Sequence, residues 1–115
     1  MPYLHLSAGV KLSDAQIVDI RKAVYDLIPL IKGKTYDVTM IHIDDNQIIT
    51  LKDIDVPAAF IDLRLMGPSP YEEKREFVQA FTKRLTELTG IDAHHIYYNI
   101  VEHNEWGAHG DYNRR

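Results

Sequence analysis

Apolar and polar positions along the chain fall into two repeated patterns, one with strand spacing and one with helix spacing. Pro2 to Leu6, which carries Tyr3 and Leu4 and runs into Ser7-Ala8-Gly9, predicts a strand followed by a loop. Ser13 with Gln16 three residues later is a capping-box signature, and Ile17, Ile20, Val24, Leu27 and Ile31 then recur at helical intervals. Pro29 falls inside that stripe, so the helix must stop or kink near Ile28, with Gly33 as its C-cap. Tyr36 to Ile43 is rich in β-branched and aromatic residues and predicts a second strand closing at Asp44-Asp45-Asn46, with Ile48 to Leu51 as a short edge strand. Ala58 to Leu65 predicts a third strand ended by Gly67-Pro68. Ser69-Pro70-Tyr71-Glu72 then supplies an N-cap serine, a proline at the first helical position and an early glutamate. Phe77, Phe81, Leu85 and Leu88 form the apolar stripe of that helix, and Gly90 ends it. Ile96 to Val101 predicts the last clear strand, before a turn-rich closing segment containing Trp106-Gly107-Ala108-His109-Gly110.

Strand-helix-strand thus occurs twice, in Pro2 to Ile43 and in Ala58 to Val101, with helices long enough to cross between parallel strands. The expected fold class is α/β (α+β): duplicated β-α-β units in one four-stranded mixed sheet. Right-handed crossovers put both helices on one face and leave the other open. Ile41, Ile43, Leu63, Leu65, Ile100 and Val101 suggest strands that are apolar on both sides. A wet face of that kind exceeds what soluble monomers usually expose. A symmetric oligomer packing sheet against sheet is the simplest cover, and the tail from Glu102 onward is the competing one.

Composition narrows the possibilities. The 115 residues, 45% apolar and 26% charged, make a single ordinary domain over residues 1–115 and exclude disordered and fibrous classes. Thirteen Lys and Arg against 17 Asp and Glu leave no basic excess to draw nucleic acid or anionic lipid. Without cysteine there are no disulfides, thiolate zinc sites or cysteine nucleophiles. No apolar run approaches the roughly 20 residues of a membrane span. Met1 to Val10 has neither a charged nor an apolar leader region, so a cytoplasmic protein is expected. The six histidines, His5, His42, His94, His95, His103 and His109, show no ligand-like spacing along the chain, so neither a metal nor a cofactor is expected.

Pro2 is the most suggestive candidate. Removal of Met1, which a small penultimate residue generally allows, leaves a secondary amine at the chain start. An α-amino group titrates at about 7.7 to 8.0. Burial beside a cation disfavours its protonated form and turns it into a general base at neutral pH.

Gly33-Lys34, His42 in an apolar strand, Pro57-Ala58-Ala59, Leu65-Met66-Gly67, Gly90-Ile91 and Ile96-Tyr97-Tyr98-Asn99, taken with the early proline, resemble the macrophage migration inhibitory factor branch of the tautomerase superfamily. The resemblance runs from Pro2 to about Gly110. It implies a homotrimer with active sites at subunit boundaries and a cofactor-independent keto-enol tautomerase of small α-keto acids. Pro2 then matches the catalytic base and acid. Lys34 matches the lysine that binds substrate carboxylate, Met66 the position whose backbone N–H helps hold it, and Tyr97 and Asn99 the residues contributed by a neighbouring subunit. These roles are chemically sensible, because carboxylates want a cation or converging N–H donors and an enolate oxygen wants a donor.

Departures bear on the substrate. The family cytokine's cysteine pair is absent, with Ala58 and Phe60-Ile61 in its place, so thiol redox chemistry does not transfer. Val38 stands where an aromatic is expected, with Tyr36 displaced by two, and Arg64 stands where that cytokine has a histidine. Arg64 offers a second carboxylate site, and equally fits an ion pair with Asp62. Two other readings stand beside the tautomerase: a weakly catalytic, cytokine-like binding protein of the same architecture, and a hydratase or dehalogenase using Asp37 and Arg64.

Overall fold

The computed structural model describes residues 1–53 and 56–115. Its elements are β1 (Pro2–Ala8), α1 (Asp14–Leu27), β2 (Met40–Asp44), β3 (Ala59–Met66), α2 (Tyr71–Thr89), β4 (Ile96–His103), β5 (Glu105–Ala108) and β6 (Asp111–Arg114). The main sheet has the order β2-β1-β3-β4. β1 runs parallel to β2 and β3 parallel to β4, while β1 and β3 meet antiparallel. Each β-α-β unit therefore contributes one parallel pair, and the two pairs join at the centre. The architecture is the mixed α+β sheet that the repeated pattern predicts.

Alternation decides what each face carries. Along β1, Leu4, Leu6 and Ala8 are buried with Ile61 and Leu63 of β3, against Ile20, Ala23 and Val24 of α1 and Phe77, Phe81 and Leu85 of α2. Both helices cover this one face. Ile41, Ile43, Leu63, Leu65 and Ile100 all lie in this layer, as the register with Leu4 and Leu6 requires, so five of the six residues that suggested a two-sided apolar sheet face the helices. Only Val101 shares the open face, in register with Arg64 and, through it, Tyr3. That face carries Tyr3, His5, His42, Asp44, Asp62, Arg64 and Asn99 together with exposed Met40, Phe60 and Tyr97, a mixed surface and not an oily one.

α1 begins as expected: the Ser13 hydroxyl accepts from the Gln16 amide and the Gln16 side chain accepts from Ser13 N–H. The chain tightens at Pro29 into a single 3-10 turn over Ile28–Leu30, and Gly33 lies beyond that turn without capping α1. Tyr36–Val38 is a second 3-10 turn where a strand was expected. The reason is register. Tyr3 pairs with Met40, so Tyr36 to Val38 run past the start of β1 and have no neighbour to pair with. Ile48 is almost fully exposed, and of the expected edge strand only Leu51 makes an isolated bridge.

At α2 the cap is Pro70 and not Ser69, with no side-chain cap bond; the Ser69 N–H donates to the Glu102 carboxylate at 2.5 Å. Gly90, at φ 76°, closes α2 in the left-handed conformation that its position predicts. β4 extends two residues beyond Val101, and the closing segment folds into a β5–β6 hairpin. Its turn residues, His109 and Gly110, both have positive φ, the requirement of a tight two-residue hairpin.

Phe77 and Phe81 stack at 5.5 Å between α2 and the sheet, both fully buried. Phe81→Ala should lower the unfolding free energy by about 3–5 kcal/mol, whereas Val18→Ala on the outer face of α1 should stay within about 0.5 kcal/mol, both read from urea midpoints.

Candidate active site

Pro2 is the first residue of β1 and is buried, although its strand opens the chain. It is held there because β1 is hydrogen-bonded on both sides, with Pro2 opposite Leu65 of β3 and Leu65 opposite Glu102 of β4. Met66, one step further along β3, offers its carbonyl to Lys34 Nζ at 2.7 Å. The lysine reaches it from the turn after Ile31, where Lys34 N–H bonds to the Ile31 carbonyl at 3.1 Å. Thus Pro2, Lys34 and Met66, three candidates far apart in sequence, converge on one end of the sheet.

The electrostatics there favour a neutral amine. Burial first, and the Lys34 charge second, hold the amino group of Met1 below the usual terminal-amine range. Burial also lowers the proton affinity of Lys34, against the opposing pull of Glu102. Glu102 is itself tied down. Its carboxylate accepts from Lys74 at 2.8 Å and from the Ser69 amide, and the Lys74 bond is the main reason its carboxyl is held below the usual glutamate range. Gly67 makes this approach possible, since a Cβ there would meet Glu102 Oε2 at 2.6 Å.

A groove of about 570 Å³ opens over this end, with Met1, Pro2, Tyr3, Val38, Met40 and Arg64 on one side. The other wall is the hairpin, through Trp106, Gly107, Ala108, His109 and Tyr112. Arg64 points a half-exposed guanidinium into this region while keeping a 3.3 Å contact to Asp62, so both readings of Arg64 meet in one side chain. The hairpin walls one end of the open face and leaves Phe60 and Tyr97 exposed.

Tyr97 and Asn99 do not join this cluster. Tyr97 pairs with Phe60 and lies five residues along β4 from Glu102, about 17 Å at strand rise. Both are exposed on the open face, Tyr97 at the far end from Pro2 and Asn99 in mid-sheet, in register with Asp62 and His5. Asp37 sits in the exposed 3-10 turn and does not line the groove with Arg64.

Sequence reasoning passed over two features. Trp106 and Tyr112 wall the groove, and a Trp in a Gly-rich closing segment was the available signal. The second is on the open face, where His5 Nε2 lies 2.7 Å and His42 Nε2 3.3 Å from the same oxygen of Asp44. Spacing along the chain hides this trio because its members come from two strands, although β1 and β2 in register bring them together.

No family model matches the chain. A curated protein does: a macrophage migration inhibitory factor homolog of Trichuris trichiura is 32% identical over 102 residues, covering 89% of each chain. The chain belongs to the macrophage migration inhibitory factor family. Solved structures with the same fold include Leishmania major MIF2, at TM-score 0.89 and 22% identity over 98% of this chain and 97% of that one. Another is Pt0534 inactivated by 2-oxo-3-pentynoate, at TM-score 0.80 and 17% identity over 94% of this chain and 93% of that one. The fold resemblance spans this family member's whole chain, hairpin included. Among the described residues, no helix is long and apolar enough to cross a membrane.

The Glu102 clamp gives a pH signature. A carboxyl depressed by folding contributes stability that is fully present above its unfolded value and is lost as pH falls through its folded one. Glu102→Gln should therefore be less stable than the parent at pH 7, and the gap should close below about pH 4. Thermal melts of both proteins between pH 3 and 7 check this.

Proposed function

We propose that this chain is a cofactor-independent tautomerase that interconverts the keto and enol forms of a small α-keto acid, with the Pro2 nitrogen as proton carrier. The observation that carries the reading is the chain start itself: a proline buried at the mouth of a groove, one strand position from the carbonyl that holds Lys34. Loss of Met1 converts the Pro2 nitrogen from an amide into a secondary amine in surroundings where burial and Lys34 already disfavour an ammonium.

In this mechanism the substrate carboxylate takes the Lys34 ammonium from the Met66 carbonyl, replacing an ammonium–carbonyl bond by an ammonium–carboxylate ion pair. The Pro2 amine removes a proton from the carbon next to the ketone, and negative charge moves to the ketone oxygen. The protonated proline then delivers the proton to the enolate oxygen to give the enol, and the reverse path, proton from oxygen to carbon, ketonises it. Arg64, on the same groove, suits a second carboxylate. Pt0534, inactivated by 2-oxo-3-pentynoate, shows only that its own site reacts with a 2-oxo acid, and this supports the choice of substrate class.

Stabilising the enolate oxygen falls to Tyr97 and Asn99, which within a single chain stand five and three residues along β4 from Glu102, the position in line with Leu65 and Pro2. The reading therefore includes a homotrimer in which each groove borrows these two residues from a neighbour. Exposed Met40, Phe60 and Tyr97 on the open face support such an assembly.

Sedimentation should give three times the chain mass. In protein shown by intact mass to lack Met1, kcat/KM for ketonisation of an enol acid should rise with pH through an inflection below the usual 7.7–8.0. Pro2→Ala should lower it about 10²- to 10⁴-fold. Lys34→Ala should raise the inflection and reduce kcat/KM about 10- to 100-fold, as loss of a charged hydrogen bond of about 1.5–3 kcal/mol predicts. Full activity in Pro2→Ala would refute the assigned base. Absence of turnover with every enol acid in Met1-free protein would leave a binding protein of the same fold.

A further inference from the structure

We propose that His5, His42 and Asp44 form a binding site for one divalent transition-metal ion of borderline softness, with Zn²⁺ as the expected occupant, on the open face of the sheet. Each residue offers one ligand atom, and the three atoms lie within 4.8 Å of one another. Asp44 Oδ2 stands 2.7 Å from His5 Nε2 and 3.3 Å from His42 Nε2. An ion with bonds of about 2.0–2.1 Å in tetrahedral array holds its ligand atoms roughly 3.3–3.4 Å apart, so the Asp44–His42 pair already has that spacing and the Asp44–His5 hydrogen bond must open to reach it. Two imidazoles and one carboxylate are the donor set that favours zinc and its neighbours over calcium or magnesium, which want oxygen throughout.

The surroundings resemble support for a ligand set. The Tyr3 hydroxyl is 2.8 Å from His42 Nδ1, an outer contact that engages that nitrogen and leaves Nε2 on the side of Asp44 to bind metal. All three residues stand on β1 and β2, whose register places His5 opposite His42 and Ser7 opposite Asp44, so the site is built on strands and not on loops. The two imidazoles stack at 4.1 Å with planes 8° apart. Coordination requires them to splay so that each Nε2 lone pair meets the ion. With side-chain exposures of 27% and 49%, both rings have room to turn. Three protein ligands leave a fourth position for water facing out of the sheet. His5 lies about 10 Å along β1 from Pro2, and the proposal holds whether or not the chain is a tautomerase.

The test is calorimetric titration of chelator-stripped protein with Zn²⁺, paralleled by visible spectra with Co²⁺. One ion per chain is expected, with Co²⁺ giving the intense visible bands of a four-coordinate site. His5→Gln and Asp44→Asn should each weaken binding at least tenfold and erase those bands. Tyr3→Phe should weaken it about tenfold through the loss of the outer contact. His94→Gln, on an exposed histidine elsewhere, should change nothing. Imidazole NMR resonances of the unaltered protein give a readout that needs no substitution: Zn²⁺ should move those of His5 and His42 and no others. Failure to bind stoichiometrically, binding retained in both His5→Gln and Asp44→Asn, or shifts confined to other histidines would overturn the assignment.

Discussion

The whole arrangement depends on β1 being an interior strand. Hydrogen-bonded to β2 on one side and β3 on the other, it locks the first residues of the chain into the centre of the sheet. Chain termini ordinarily fray. Here Pro2, the second residue, is buried, its place fixed by seven paired positions of β1 against β3. Everything gathered around Pro2 follows from this pairing. Leu65 is its direct neighbour, Met66 is one step on, and Lys34 arrives by reaching for the Met66 carbonyl.

The same strand supports two chemistries on its two faces. Leu4 and Leu6 seal the helix-covered layer, and Tyr3 and His5 decorate the open one. An acidic protein with a net charge of −4 thus keeps its cations in local positions, Lys34 and Lys74 at the Pro2 end and Arg64 over the groove, where each faces a defined partner. Burial weakens the hold of Lys34 on its proton, while Glu102 opposes that loss.

Much of this was legible in the residues. The capping box at Ser13 and Gln16, the stripe from Phe77 to Leu85 and the stop at Gly90 are local signals, and the local structure follows them. The misjudged elements are those where a non-local partner decides. Tyr36 to Val38 have strand-forming residues and no strand to pair with, and Ser69, whose amide donates to a carboxylate thirty-three residues away, does not cap α2. The list from Ile41 to Val101 misled for a related reason: side-chain type is visible along a chain, but the phase of alternation is set by the neighbouring strand. Of the candidate site residues, Pro2, Lys34 and Met66 lie together at one end of the sheet, while Tyr97 and Asn99 stand apart within the chain. The His5, His42 and Asp44 trio was invisible because its spacing exists only across the β1–β2 ladder.

The hairpin of β5 and β6 has an architectural consequence. It leaves the main sheet after His103, turns at His109 and Gly110, and comes back so that the Arg115 amide bonds to the Asn104 carbonyl at 2.9 Å. None of its residues belongs to the buried core, yet it supplies one bank of the groove. Such an appendage can be recut in length or side chains while the sheet keeps its folding energy. What the groove admits can therefore drift during evolution separately from the sheet that positions Pro2.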